Sequence, residues 1–136
     1  CPDLSDIARY AQVENEAYRI MKRLLPGPYT FILRATPEVP RILQSRRKTV
    51  GIRVPNHPVT LALARAFRQP IVSTSTVLDG QRLRNADEIN LRMGHGLDLI
   101  MDAGHLDRQH SSVVDLTGPY PEVIRAGAGD LSWTEV

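Results

Sequence analysis

At 136 residues, 42% hydrophobic and 24% charged, the chain suits one globular domain built round one core. Its apolar runs last only a few residues, far short of the roughly 20 that span a membrane and of a signal-peptide core, so a cytoplasmic domain is expected. A lone cysteine, Cys1, excludes an internal disulfide, and no Cys and His stand at the spacing of a structural zinc site.

The net charge of +2 hides an asymmetry between the halves. Residues 1–68 hold 12 Lys/Arg against 5 Asp/Glu, whereas residues 69–136 hold 5 against 10. Within the first half, Arg41, Arg46, Arg47, Lys48 and Arg53 follow one another with no acid between them, a pattern that favours a polyanionic partner such as a nucleotide or RNA.

In chain order, Asp3 or Ser5 is placed to cap a short helix ending near Ala11, with Ile7, Tyr10 and Ala11 on its buried stripe. A second helix carries Ala17, Ile20 or Met21, Leu24 and Leu25 on one face, and Glu14, Glu16, Arg19, Lys22 and Arg23 on the other. Pro26-Gly27-Pro28 stops it. Tyr29–Ala35 reads as a buried strand, 37–43 as a turn or short helix, and 49–54 as a strand ended by Pro55. Pro58 suits the first turn of a helix running to Phe67. Residues 71–73 are expected as a strand leading into a polar loop. After Asp79-Gly80, a helix over 86–93 is capped near Asn85 and ended by Gly94 and Gly96. Short strands are expected over 97–101, 113–116 and Glu122–Arg125, the last two joined by turn chemistry at Gly118-Pro119. Helices alternating with strands, then strands alone, predict an α/β or α+β domain with a mixed sheet.

No GxGxxG, P-loop, HExxH or CxxC pattern is present, and His57, His95, His105 and His110 are scattered through expected loops. Instead, hydroxyls and arginines recur where strands end. Thr49 and Arg53 flank one strand, Ser73-Thr74-Ser75-Thr76 follows another, Ser111-Ser112 precedes a third, and Arg125 ends a fourth. A guanidinium grips carboxylate or phosphate through two parallel hydrogen bonds, and hydroxyls with backbone N–H groups hold phosphate oxygens.

These segments fall in a known order: Pro26-Gly27-Pro28-Tyr29-Thr30-Phe31-Ile32-Leu33, Lys48-Thr49-Val50-Gly51-Ile52-Arg53-Val54-Pro55-Asn56-His57-Pro58, Pro70-Ile71-Val72-Ser73-Thr74-Ser75, Ser111-Ser112-Val113-Val114-Asp115-Leu116-Thr117 and Val123-Ile124-Arg125-Ala126-Gly127-Ala128-Gly129. The order resembles the YrdC/YciO-type family from about Leu4 to Asp130. The Lys-Thr-x-Gly-x-Arg-Val-Pro stretch and the terminal Gly-Ala-Gly-Asp are most similar to the YciO branch. The resemblance implies a YrdC/RibB-like fold, a twisted mixed sheet with flanking helices curved round one basic cavity. It also implies that this chain, which begins with Cys rather than Met, is the central and C-terminal part of a longer domain.

The activity implied is that of threonylcarbamoyl-AMP synthase, a nucleotidyltransferase making threonylcarbamoyl-adenylate from L-threonine, bicarbonate and ATP for tRNA modification. Carried over by position, Arg53, Ser73 and Ser111 would bind threonine, and Thr49, Ser75 and Arg125 the nucleotide, with Mg2+ accompanying ATP. Where the family continues Ser-Ala-Asn, this chain has Ser75-Thr76-Val77, an apolar side chain in place of an amide expected near ATP. The alternatives are a double-stranded RNA or tRNA-binding module using Arg41, Arg46, Arg47 and Lys48, or a globular segment without activity.

Overall fold

Strand β2 (Tyr29–Ala35) organises the molecule, because its alternation buries Tyr29, Phe31 and Leu33 on one side and turns Thr30, Ile32 and Arg34 to the other. The computed structural model describes residues 1–106 and 109–134. It divides into two compact units, one formed by Cys1–Ile71 with Gln109–Val136 and the other by Val72–Arg108.

The first unit holds a five-stranded mixed sheet. On one edge of β2 runs β3 (Thr49–Ile52), antiparallel, with Phe31 opposite Ile52 and Arg34 opposite Thr49. On the other edge lies β6 (Ser112–Asp115), parallel, with Tyr29 opposite Ser112. Beyond the reach of β6, the two-residue β1 (Ala11–Gln12) pairs with Ala35 and Arg34. Strand β7 (Glu122–Arg125) lies antiparallel to β6, with an irregular register between Val113 and Val114.

One face of this sheet is covered by α1 (Ile7–Tyr10) and α2 (Asn15–Leu24), whose Ile7, Ala17 and Met21 join Phe31, Leu33, Ile52, Val54 and Val114 in the core. Of the two candidates on α2, Met21 is fully buried and Ile20 only partly, which fixes the helix rotation. Tyr29 stacks on Phe31 with ring centroids 5.7 Å apart. Truncating the fully buried Phe31 to Ala would cost about 3–5 kcal/mol. Leu25-Pro26, at the end of α2, is a cis peptide. Helix α3 (Pro58–Phe67) starts with Pro58 in its first turn, and His57 caps it as Nδ1 accepts from the Val59 N–H at 3.3 Å.

In the second unit, β4 (Val77–Leu78) and β5 (Gln81–Arg82) form a hairpin whose Asp79 and Gly80 take positive φ of 51° and 73°. Asp-Gly is the residue pair such a two-residue turn selects. Helix α4 (Ala86–Met93) is capped by Asn85, whose Oδ1 accepts from Glu88 N at 2.8 Å, while Glu88 Oε2 accepts from Arg84 N at 2.9 Å. Asp79 pairs with Arg92 at 3.3 Å.

The expected bounds of β2, α3, α4 and β7 match those observed, and the mixed sheet with flanking helices is present. Other expectations need correction. Residues 71–73 and 97–101 form no strand, and Ile71, Val72, Leu97, Leu99 and Met101 are exposed. Apolar runs this short become strands only where a neighbour completes their hydrogen bonds, and no described segment does so here. The first helix stops at Tyr10, and Ala11 turns extended to pair with β2. Its Asp3 caps nothing; the Asp3 carboxylate accepts from the backbone N–H and the hydroxyl of Ser5 instead. The tight β4–β5 pair was not among the expected strands.

Candidate anion-binding site

The sheet face opposite the core helices is polar at one end. Thr30 projects there from β2, and Gly51 on β3 leaves it room, since a Cβ at Gly51 would sit 3.2 Å from Thr30 Cγ2. Alternation carries Arg53, two residues past Gly51, to the same face. Immediately before β6, the Ser111 hydroxyl lies 2.8 Å from Thr30 Oγ1. Arg125, the last residue of β7, donates from Nε and Nη2 to the Ser111 carbonyl at 3.2 and 2.9 Å, and from Nη2 to Ser111 Oγ at 3.3 Å. Thr30, Ser111 and Arg125 thus form one connected polar chain, with Ser111 itself buried.

Arg53 completes the cluster electrostatically. Partial desolvation pulls its guanidinium below the ordinary arginine value, and the positive charge of Arg125 adds to the effect. Neither arginine has a carboxylate partner among the described residues, where the ion pairs are Arg9–Glu38 at 3.7 Å and Arg92–Asp79 at 3.3 Å. The Nη1 donors of Arg125 make no hydrogen bond among the described residues. Two cations without a carboxylate partner among the described residues, set beside oriented hydroxyls, can take up an anion, and a charge-assisted bond gains most at Arg53, which is already stripped of some water.

Of the other expected site residues, one threonine belongs to the sheet unit and two serines to the second unit. Thr49 occupies the opposite end of β3, roughly 13 Å along the strand from Arg53 at the usual rise per residue. There its hydroxyl meets Ser45 Oγ at 2.7 Å, and Ser45 Oγ also accepts from the N–H groups of Arg47 and Thr49 at 3.1 and 3.2 Å. Lys48 takes a positive φ of 57° to close that loop. Its cations Arg46, Arg47 and Lys48, like Arg41 on the preceding 3-10 turn (Arg41–Leu43), are exposed. Ser73 and Ser75 are exposed residues of the second unit, where Ser75 O accepts from Val77 N at 3.0 Å, and Val77 is half-exposed on β4. A hollow of about 240 Å³ within that unit has Leu83, Ile89, Ile100 and Met101 on its walls with Arg82 and Asp102, and includes neither serine.

The sequence reading passed over Thr30 as a site residue. A hydroxyl at an outward position of β2, diagonal to a glycine on the neighbouring strand, is the signal that would have found it. Among the described residues, no three His, Cys, Asp or Glu side chains gather to hold a metal ion, and no helix is long and apolar enough to cross a membrane.

The chain was compared with known proteins. It is 46% identical to YciO of Escherichia coli K12 over 134 residues, covering 96% of this chain and 65% of that protein. The crystal structure of E. coli YciO superposes with a TM-score of 0.93 at 43% identity, over 98% of this chain and 66% of that one. Threonylcarbamoyl-AMP synthase of Klebsiella pneumoniae is 38% identical over 104 residues, 75% of this chain and 53% of the enzyme. The crystal structure of P. abyssi Sua5 complexed with L-threonine matches with a TM-score of 0.84 at 28% identity, covering 92% of this chain and 38% of that protein. The chain thus spans just under two thirds of the length of its YciO relatives. The model of the Sua5/YciO/YrdC family, described as "Telomere recombination", matches residues 1–127, and the chain belongs to that family.

Proposed function

We propose that this chain contributes the arginine-lined part of a site that makes threonylcarbamoyl-AMP and pyrophosphate from L-threonine, bicarbonate and ATP, in support of tRNA modification. The observation that carries the reading is the pair Arg53 and Arg125, mutually repelling and without carboxylate partners among the described residues. Relatives named threonylcarbamoyl-AMP synthase and a Sua5 structure complexed with L-threonine support an amino-acid carboxylate and a nucleotide phosphate as the anions.

In this reading the threonine carboxylate takes the planar fork of Arg53, with Ser111 near the amino acid. Arg125 serves the nucleotide. Threonine's amine bonds to the carbon of bicarbonate to give a carbamate, one amine proton and the bicarbonate hydroxyl leaving as water. A carbamate oxygen then forms a bond to the α-phosphorus of ATP as the bond to the bridging oxygen breaks and pyrophosphate leaves. Such a transfer depends on alignment and on fixed positive charge more than on acid–base groups. Mg2+ would enter with the phosphates of ATP, and no step is assigned to it.

Calorimetric titration of the chain with L-threonine, then with ATP and bicarbonate, tests this, together with a pyrophosphate assay. Heat on threonine addition that vanishes in Arg53→Ala is expected. No heat with any of the three ligands and no pyrophosphate would reject the reading.

A second reading rests on the Ser45–Thr49 loop, whose closed hydrogen bonding presents Arg46, Arg47 and Lys48 to solvent. That surface would bind double-stranded RNA or tRNA through its phosphates. RNA retention falling by several log units per log unit of salt supports it; a flat salt response removes it.

A further inference from the structure

Ser112 is fully buried and faces the core, on the side of the sheet away from Arg53 and Thr30, so its hydroxyl reaches no ligand on the open face. It nevertheless makes two hydrogen bonds to one short stretch. Its Oγ donates to the Gly129 carbonyl at 2.7 Å and accepts from the Gly127 N–H at 3.0 Å. Next to it, Ala128 N donates to His110 O at 2.8 Å. The approach is too close for any side chain, since a Cβ at Gly127 would fall 2.3 Å from His110 O and 2.6 Å from Ser111 O. A Cβ at Gly129 would strike the Tyr29 ring at 2.4 Å, and the Tyr29 hydroxyl donates to Asp130 O at 2.9 Å. The stretch that follows β7 is therefore pressed onto the peptide from which Arg125 takes its carbonyl partner.

We propose that Ser112 is a positioning residue for the anion site: by clamping Gly127–Gly129 against residues 110–112, its hydroxyl sets Arg125 on the Ser111 carbonyl and points that guanidinium at the bound anion. This rests on the reading that Arg53 and Arg125 hold threonine and ATP. The physical basis is the cost of orphaning buried groups. Without the hydroxyl, the Gly127 N–H and the Gly129 carbonyl lose their partner, and the stretch must lift to reach water. Arg125, two residues before Gly127, moves with it.

The test uses Ser112→Ala, Ser112→Thr, which retains a hydroxyl, and Ser112→Cys, which keeps the volume with weak hydrogen bonding should the alanine variant not fold. Two quantities are read in each. One is the NMR signal and exchange rate of the Arg125 Nε–H and the Gly127 amide; the other is calorimetric affinity for ATP and L-threonine, all well below the unfolding midpoint. Expected in Ser112→Ala or Ser112→Cys is faster exchange at both protons and ATP affinity lower by about tenfold, the loss of one charge-assisted contact, with recovery in Ser112→Thr. Faster exchange in a chain that binds neither ATP nor threonine would sustain the positioning role and reject the ligand assignment. Native exchange at Arg125 Nε–H with unchanged affinity in a folded Ser112→Ala or Ser112→Cys variant would overturn the proposal.

Discussion

The two ends of strand β3 carry similar residues and put them to different use. At one end, Thr49 bonds to Ser45, and Arg46, Arg47 and Lys48 stand in solvent. At the other, Arg53 loses part of its hydration beside Arg125, which is itself anchored on Ser111. The first end has more positive charge, yet the second sets a partly desolvated guanidinium near a second one that is hydrogen-bonded in place. Counting cations finds a basic surface; desolvation and anchoring single out a candidate site.

Removing both cations at the second end breaks this contrast most strongly. Arg53→Ala with Arg125→Ala should weaken threonine and ATP binding by about 3–6 kcal/mol, two charge-assisted contacts at about 1.5–3 each, beyond calorimetric detection. Full affinity in the double variant would place the anion elsewhere. The triple change Arg46→Ala, Arg47→Ala and Lys48→Ala should leave threonine affinity within about twofold while lowering the salt dependence of RNA binding by about 2–3 units of log–log slope. A matching loss of threonine affinity would show that the two ends act as one site.

Arg53→Lys sharpens the comparison, because charge remains and only the planar fork is lost. Threonine affinity should fall about tenfold, the expected difference between bidentate and point-charge recognition. Smaller still is Thr30→Val, which deletes the hydroxyl partner of Ser111 and should cost about 0.5–1.5 kcal/mol in urea unfolding.

The smallest effect lies outside both ends. The Asp130 carboxylate is held below its usual 3.8, chiefly by the Ser132 hydroxyl at 2.7 Å and then by the Ser132 backbone N–H at 3.1 Å. Since the folded value lies below the unfolded one, its contribution to stability is present above about pH 4 and is lost as pH falls through the folded value. Asp130→Asn should flatten the acid limb of stability against pH; an unchanged limb would assign acid sensitivity to other carboxylates.

Much of the sheet unit was legible from local pattern. Tyr29–Ala35 alternates, Pro58 opens α3, and the bounds of β7 follow from its turn and its apolar pair. Arg53, Ser111 and Arg125 were legible as site candidates because strand ends line clefts. Residues 71–73 and 97–101 misled, since their apolar runs have strand character but no partner edge among the described residues. For Thr49, closeness to Arg53 in the motif is distance along an extended strand, and its hydroxyl meets Ser45.

By itself the sequence determined the family, the alternating and helical segments, and the supply of arginines and hydroxyls, because those properties depend on neighbours a few positions away. Only the tertiary structure decided that Arg125 rests on the Ser111 carbonyl, that Thr30 lies beneath it, and that Ser112 works from the buried side. Each of those facts needs a partner 14 or more residues distant, brought within hydrogen-bond reach by strand pairing and by glycines that admit close backbone approach.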